Sequence, residues 1–184
     1  SKQVTDTMAQ KQLDDSIYGI EKKPFPYLLC VTNMLLHDIE VPNIYHMNSL
    51  KHNLLDYTDD DKFDVILMNP PYGGHEDKSI QNFFPDDLTS SETADLFMSV
   101  IMYRLKKGGR AAVILPDGFL FGTDNAKVAI KKKLFSECNV HTIIRMPHSV
   151  FAPYTSITTN ILFFDRTGPT TETWFYRVDI PSDR

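Results

Sequence analysis

The chain has 184 residues, 42% of them apolar and 23% charged, with a formal net charge of −5 at pH 7. This composition is that of one ordinary globular domain with a sizeable core, and the acidic balance excludes a general polyanion binder. No apolar run approaches the roughly 18 residues of a membrane span and no signal-peptide pattern is present, so a cytoplasmic protein without membrane contact is predicted. Cys30 and Cys138 lie in apolar contexts that favour buried free thiols over a disulfide.

The first third of the chain predicts two short strands on either side of one helix. Residues 1–16 are polar and are expected at most to continue a helix that begins outside the chain. Residues 18–21 form a strand candidate that ends on an acid, and residues 43–50 form a second that runs into a polar loop. Pro24 begins the helix between them and His37 ends it. The apolar face of this helix consists of Phe25, Leu28, Leu29, Leu35 and Leu36.

A tetrapeptide in the middle of the chain is the strongest local signal. The apolar run at residues 63–68 predicts a buried central strand, and Pro70 and Pro71 end it because proline cannot donate to a sheet ladder. Asn69 to Tyr72 therefore follow the carboxyl end of a strand, where open α/β sheets bind ligands. An ordinary strand-to-turn junction is the alternative, since Asn-Pro and Pro-Pro are common turn signals. The rarity of the tetrapeptide and its position favour a functional site.

The tetrapeptide opens into a long loop that a helix follows. Residues 73–92 contain few apolar anchors, which is typical of functional or disordered loops. Residues 89–92 have capping-box spacing, and residues 106–109 are expected to give the helix a basic last turn and a glycine stop. The buried face of this helix is predicted to be Leu96, Phe97, Val100, Ile101 and Leu105.

The last third predicts a strand, a helix and then further strands. The strand covers residues 110–115, and a basic amphipathic helix runs from Thr123 or Asp124 to about Cys138. Strands are expected at residues 139–146 and 157–165, with a possible edge strand at 173–178. Strands and helices alternate until the last two strands, which predicts an α/β fold with a mainly parallel sheet and an antiparallel strand pair at its C-terminal end.

The tetrapeptide suits chemistry on a planar exocyclic amine such as N6 of adenine, whose lone pair is delocalised into the ring. The amide oxygen of Asn69 and the main-chain carbonyl of Pro70 can accept its two hydrogens and favour a pyramidal, nucleophilic nitrogen. Pro70 and Pro71 fix the backbone in advance. Tyr72 offers a face on which the base can stack, worth roughly 1–3 kcal/mol. The electrophile would be the methyl group of a sulfonium.

Four further residues are site candidates, each with a structural alternative. Phe151 could meet a flipped base opposite Tyr72, or belong to the core. Glu21 ends a strand where an acid typically binds ribose hydroxyls, or is a solvated charge. Asn48 could read an adenine edge or cap a turn. Phe97 could line the adenine of a cofactor, but its place in the helix stripe favours the core.

Other chemistries are not indicated. His37, His75 and His148 have no partners at metal-ligand spacing, so no metal is predicted. Serine, histidine and aspartate are present, but no nucleophile elbow is recognisable.

Several segments in order resemble those of one family. They are Tyr18–Glu21, 33–37, 48–50, 69–72, 108–120 and 146–164. Together they resemble the modification (M) subunit of type I restriction-modification systems, which are γ-class N6-adenine DNA methyltransferases. The resemblance implies a Rossmann-like methyltransferase sheet, S-adenosylmethionine as cofactor, a flipped adenine in DNA as substrate, and specificity and restriction subunits as partners.

The chain departs from the family pattern in one respect. Family members carry a glycine-rich cofactor loop after the first strand, and none of the eight glycines here forms such a loop. Residues 1–184 are therefore expected to be a single partial catalytic domain that lacks the first strand, this loop and the N-terminal helical domain. Such a sheet would leave its second and fourth strands with unpaired edges, and the isolated chain should bind cofactor weakly or not at all and be inactive.

Two other functions stay open at this point. An amino methyltransferase acting on RNA or on a protein glutamine faces the same planar-nitrogen problem and shares the tetrapeptide. The loop after the tetrapeptide and the segment around Phe151 favour DNA. A non-catalytic scaffold that kept the fold is the third possibility; the intact tetrapeptide disfavours it in the parent protein, while the missing glycine-rich loop favours it in this fragment.

Overall fold

A computed structural model describes residues 6–179, which contain seven strands and six α-helices. Residues 1–5, part of the predicted polar segment, lie outside the described range. The strands are β1 (Tyr18–Glu21), β2 (Asn43–His46), β3 (Phe63–Met68), β4 (Leu105–Pro116), β5 (Asn139–Arg145), β6 (Thr159–Asp165) and β7 (Trp174–Arg177). The helices are α1 (Thr7–Asp15), α2 (Pro24–Leu36), α3 (Lys78–Gln81), α4 (Thr93–Arg104), α5 (Asp117–Phe121) and α6 (Asn125–Glu137). None of the helices in this range has the length and hydropathy needed to cross a bilayer.

The chain divides into two compact units, Ser1–Lys51 and His52–Arg184. In the first, β1 pairs with β2 in parallel. In the second, the strand order is β3-β4-β6-β5-β7; β6 is antiparallel to both of its neighbours and the other pairs are parallel. The predicted mainly parallel α/β sheet with antiparallel pairing near its C-terminal end is confirmed. Among the described residues β1 and β3 each pair with one neighbouring strand of their own sheet.

The first unit is built around α2, which begins at Pro24 as predicted because proline suits the first turn of a helix. The apolar face predicted for this helix is exposed within the described residues, with Phe25 at 68% and Leu36 at 77%. Cys30 on α2 is partly exposed and unpaired, so only half of the prediction of buried free thiols holds for it, whereas Cys138 is fully buried and free.

The core of the second unit lies between the sheet and the helices α4 and α6. The apolar side chains of β4, β5 and β6 alternate in burial as strand geometry requires. Leu96 and Ile101 from α4, and Ile130 and Leu134 from α6, are almost completely inaccessible to solvent. The helix predicted after residue 124 is confirmed, because the Asp124 side chain accepts a hydrogen bond from the Lys127 N–H and begins α6.

The bounds predicted for the strand at residues 63–68 are correct, but the prediction that this strand is central and buried is wrong. Within the described residues β3 lies at the edge of its sheet, and Val65 and Leu67 are 48% and 76% exposed. Both side chains lie on one face of the strand, and no described element covers that face.

The helix after the loop ends earlier than predicted. α4 stops at Arg104, and residues 106–109 belong to β4. The reason is long-range pairing: the Gly108 N–H donates to the Arg166 carbonyl at 2.9 Å, and the Arg166 N–H donates to the Gly109 carbonyl at 2.8 Å. Lys106 pairs with Asp64 on the neighbouring strand rather than with the end of a helix.

The loop of residues 73–92 is more ordered than predicted. Ile80, Phe84 and Leu88 are buried, and α3 lies within it. The predicted capping box at residues 89–92 is wrong, because the Thr89 hydroxyl donates instead to the Gln81 carbonyl at 3.0 Å. The loop is therefore packed onto the second unit by its own apolar side chains.

Candidate functional site

The site begins at the carboxyl end of β3, where Asn69 to Tyr72 leave the sheet. Asn69 is exposed, Pro70 is buried, Pro71 is exposed and Tyr72 is half-buried. Two prolines in succession restrict the backbone here to extended conformations. The exposed amide of Asn69 is thus carried on a backbone whose conformation is restricted before any ligand binds.

Tyr72 and Asn69 contact each other directly. The Tyr72 hydroxyl donates a hydrogen bond to Oδ1 of Asn69. Burial raises the pKa of Tyr72 to about 12, so the phenol stays neutral and able to donate at physiological pH. This bond uses one of the two lone pairs of the amide oxygen and leaves the other available.

Phe151 completes an aromatic pair with Tyr72. It lies in the connection between β5 and β6 and is half-buried rather than part of the core. The centroids of the two rings are 6.4 Å apart and their planes are inclined by 63°. A flat ring inserted between two others needs about 7 Å between them, twice an ordinary carbon contact distance. In this arrangement the two rings touch edge to face and leave no slot for a base.

The segment after the tetrapeptide is tied to the start of α4. The Thr93 N–H donates to the Gly74 carbonyl at 2.9 Å, and the Glu76 N–H donates to the Ser91 carbonyl at 2.8 Å. A Cβ added at Gly74 would lie 2.6 Å from Oγ1 of Thr93, so only glycine fits there. Gly73 has φ of +67°, a left-handed conformation that favours glycine. The position of Tyr72 therefore depends on the amino end of α4.

A buried ionic cluster holds that end of α4 against α6. Nζ of Lys127 lies 2.5 Å from Glu92, 3.2 Å from Asp95 and 3.1 Å from Asp124. Asp95 is fully buried and also accepts a hydrogen bond from Ser90 at 2.8 Å, while its Oδ1 has no partner in the described part of the chain.

The pKa values of this cluster have opposing causes. Burial raises the pKa of Asp95, because it disfavours the charged carboxylate more than Ser90 and Lys127 stabilise it. Burial lowers the pKa of Lys127, but hydrogen bonds to Glu92 and Asp124 and the charge of Asp95 outweigh it and leave the pKa raised. Because three carboxylates surround Lys127, their combined attraction raises its pKa. The single cation does not offset the effect of burial on the pKa of Asp95.

The sequence analysis did not predict this ionic cluster, although the sequence contains one signal for it. Lys127 has the spacing i, i+3, i+7 with Ile130 and Leu134, which are the buried residues of α6. A lysine in line with a buried stripe needs a carboxylate partner, but its partners Glu92 and Asp95 are more than thirty positions away.

The remaining candidates are divided between the two units. Glu21 and Asn48 belong to the first unit, and Phe97 is half-buried on α4 of the second. The Glu21 carboxylate accepts from the Lys23 N–H at 2.7 Å. Oδ1 of Asn48 caps a turn by accepting from the Leu50 N–H at 3.0 Å, while its buried Nδ2 has no partner in residues 6–179. No group of three histidine, cysteine or acidic side chains in that range could hold a metal ion.

Two polar groups of the first unit are of the kinds that bind nucleosides. A carboxylate at the end of a strand suits ribose hydroxyls, and the unsatisfied Nδ2 of Asn48 is a buried donor that a ring nitrogen would satisfy. Together with the amide and aromatic rings of the second unit, the chain contains groups for a nucleoside and for a planar base.

Comparison with known proteins gives a consistent result. The model of a family described as N-6 DNA Methylase matches residues 1–182. The methylase subunit of the type I restriction enzyme EcoEI from Escherichia coli is 52% identical over 179 residues, which cover 97% of this chain and 36% of that protein.

Two solved structures are similar along nearly the whole chain. A protein of Vibrio vulnificus YJ016, assigned as the modification subunit of a type I restriction enzyme, is 45% identical with a TM-score of 0.93 and covers 100% of this chain and 39% of its own. The M protein of the type I restriction enzyme EcoKI is 30% identical with a TM-score of 0.75, over 91% of this chain and 37% of its own. The chain thus spans somewhat more than a third of the length of these relatives. The predicted Rossmann-like methyltransferase fold is confirmed by these similarities.

Proposed function

Because the chain belongs to the N-6 DNA Methylase family, we propose that it is part of the catalytic domain of an enzyme that methylates N6 of adenine in DNA. The observation that carries the proposal is the exposed Asn69 amide at the carboxyl end of β3, beside the Tyr72 and Phe151 rings. Residues 1–184 act in this proposal as one partial catalytic domain of a longer protein.

Asn69 and Pro70 activate the amine in this mechanism. The free lone pair of the Asn69 amide oxygen and the Pro70 carbonyl accept the two hydrogens of N6, so the nitrogen lone pair is localised and directed away from them. The prolines fix the backbone at residues 70 and 71, so no reorganisation is needed when charge develops on nitrogen. Once nitrogen carries the methyl group its proton is acidic and passes to solvent water at the exposed Asn69, so no shifted general base is required.

S-adenosylmethionine supplies an electrophilic methyl group when it is bound. Glu21 would hold its ribose hydroxyls, and the buried Nδ2 of Asn48 would donate to its base. Phe97 contributes an apolar surface from α4. These three roles rest on the type of residue and its position at a strand end or helix face.

Tyr72 and Phe151 receive the base after it has left the duplex, because N6 is not accessible inside a stacked helix. Pro71, next to Tyr72, contributes an exposed apolar surface to the same substrate position. The rings at 6.4 Å and 63° must turn parallel and separate slightly before the base fits between them.

The similarity to type I methylase subunits supports a multisubunit assembly. In this proposal the chain works with a specificity subunit that recognises the DNA sequence and with a restriction subunit. A net charge of −5 fits a subunit that leaves most contacts with the DNA backbone to a partner. The type I methylase relatives and a DNA substrate support a cytoplasmic location.

The molecule that accepts the methyl group distinguishes this function from its alternatives. The full-length protein with its specificity subunit is incubated with methyl-labelled S-adenosylmethionine and DNA, RNA or protein in parallel. The proposal expects label on DNA alone, while label confined to RNA or protein would support an amino methyltransferase of another kind. No transfer to any acceptor would favour the scaffold interpretation.

A further inference from the structure

A second polar network lies at the same edge of the sheet as Asn69. Asp117 follows β4, and its carboxylate accepts from Nη1 of Arg145 at 3.0 Å and from Nη2 at 2.8 Å. Nδ2 of Asn160 donates to the same carboxylate at 2.8 Å. Asn160 is 2% exposed, and it lies opposite Arg145 in the pairing of β5 with β6. One carboxylate therefore connects the ends of three adjacent strands, and we call these three residues the Asp117 clamp.

The Asp117 clamp lies at the base of the connection that carries Phe151. Arg145 is the last residue of β5, and Asn160 is the second residue of β6, so the connection leaves one and returns to the other. The backbone is joined at the same place, because the Asp117 N–H donates to the Thr158 carbonyl at 3.1 Å and the Met146 N–H to the Thr159 carbonyl at 2.9 Å.

Within residues 6–179, few other contacts hold the rest of this connection. Its other backbone hydrogen bonds are local turns, such as Val150 to Pro147 and Tyr154 to Phe151. Most of its side chains are exposed, and Tyr154 is 93% exposed. One further side-chain bond crosses the base, between His148 Nδ1 and Thr158 Oγ1 at 3.1 Å. The direction in which Phe151 points therefore depends on where the connection meets the strands, together with its edge contact with Tyr72.

We propose that Asp117 is a positioning residue, which holds Phe151 opposite Tyr72 through Arg145 and Asn160 and so helps to capture the flipped base. This inference rests on the proposed function and adds to it a residue that touches neither substrate nor cofactor. The bidentate geometry matters, since a planar guanidinium on a carboxylate fixes orientation as well as distance. Loss of this geometry lets the connection turn about its ends and lowers the fraction of molecules with Phe151 in place.

Comparing duplexes in which the target adenine is paired or unpaired distinguishes a defect in base capture from a defect in folding. A flipped base must first be unpaired, and this costs least when the base has no partner. A defect in capture therefore shrinks on a duplex whose target adenine faces an abasic position. A defect in folding lowers the amount of active enzyme and is the same on both duplexes.

The test uses Asp117→Asn in the full-length protein with its specificity subunit, on DNA whose target site has been read from its methylation pattern. We expect kcat/KM to fall about tenfold on the paired duplex, the effect of losing one charge-assisted bond, and less than about threefold on the unpaired duplex. Glu137→Gln is the matched control, because Glu137 accepts from Arg166 at 3.3 Å near the other end of β6. Its effect should be equal on the two duplexes.

Arg145→Lys provides a second variant should Asp117→Asn fold poorly. Lysine keeps the charge but cannot bind the carboxylate in a bidentate manner, so a smaller loss with the same dependence on pairing is expected. An equal loss on both duplexes, or no loss, in a folded variant would overturn the inference. If the wild-type complex methylates neither duplex, the proposed function itself has failed.

Discussion

Replacing Lys127 by Met tests whether the buried cluster supports the site. Lys127 is 4% exposed and Asp95 is fully buried, so methionine leaves a buried carboxylate without its cation. Breaking a buried pair in this way costs about 3–5 kcal/mol of unfolding free energy. In a domain of about this size such a loss lowers Tm by roughly 6–20 °C. Calorimetry of the full-length protein measures the shift.

Two further variants serve as a surface control and as a rescue of the lost stability. Lys132→Met changes an exposed lysine on the same helix and should alter stability by less than about 0.5 kcal/mol. Adding Asp95→Asn to Lys127→Met removes the uncompensated charge and should restore much of the loss. A Tm within about 2 °C of wild type for Lys127→Met, or no recovery in the double variant, would refute the reasoning.

The same cluster predicts a dependence on pH. Burial raises the pKa of Asp95 above its ordinary value of 3.8, so the folded protein keeps this proton at pH values where the unfolded chain has lost it. The contribution of Asp95 to stability is therefore greatest below that ordinary value and decreases as pH rises through the folded pKa. Lys127→Met raises this pKa further, so its loss of stability should be smaller at pH 5 than at pH 8. An equal loss of unfolding free energy in Lys127→Met at pH 5 and at pH 8 would contradict this.

Three smaller predictions concern single side chains. Tyr72→Phe keeps the stacking ring but frees the Asn69 oxygen, so kcat/KM for DNA should rise by about threefold, the size of one neutral hydrogen bond; a fall would show that the hydroxyl assists. Gly74→Ala forces its Cβ to within 2.6 Å of Thr93 and should cost about tenfold in activity with little change in Tm, and Thr93→Ala should restore part of it. Burial raises the pKa of Cys138 to about 11, so alkylation at pH 8 should reach this thiol only on unfolding; rapid labelling of the folded protein would contradict the packing of α6.

Local patterns in the sequence predicted the strands correctly where the signals were also local. β1 and β3 have the predicted bounds, because an acid, a proline or a run of apolar residues marks each end. The end of α4 was wrong because Gly108 and Gly109 pair with Arg166, more than fifty positions away, and this pairing outweighs the helix signal of the lysines.

Long-range partners also explain which site residues sequence reasoning did not find. Asn69 and Tyr72 are three positions apart and were identified together. Asp117 has partners 28 and 43 positions away, and no local pattern links it to Arg145 or Asn160. The sequence analysis predicted that Tyr72 and Phe151 lie on opposite sides of a flipped base. Their edge-to-face arrangement was not predicted, because it depends on side-chain rotation.

The nucleoside that carries the new methyl group shows whether Asn69 acts on N6 of adenine. DNA incubated with the full-length protein, its specificity subunit and S-adenosylmethionine is digested and its nucleosides are separated by mass. The account predicts N6-methyldeoxyadenosine with wild type, none above background with Asn69→Ala, and wild-type levels with Asn125→Ala, which changes an exposed asparagine at the start of α6. Methylation of cytosine, or unchanged adenine methylation by Asn69→Ala, would contradict it.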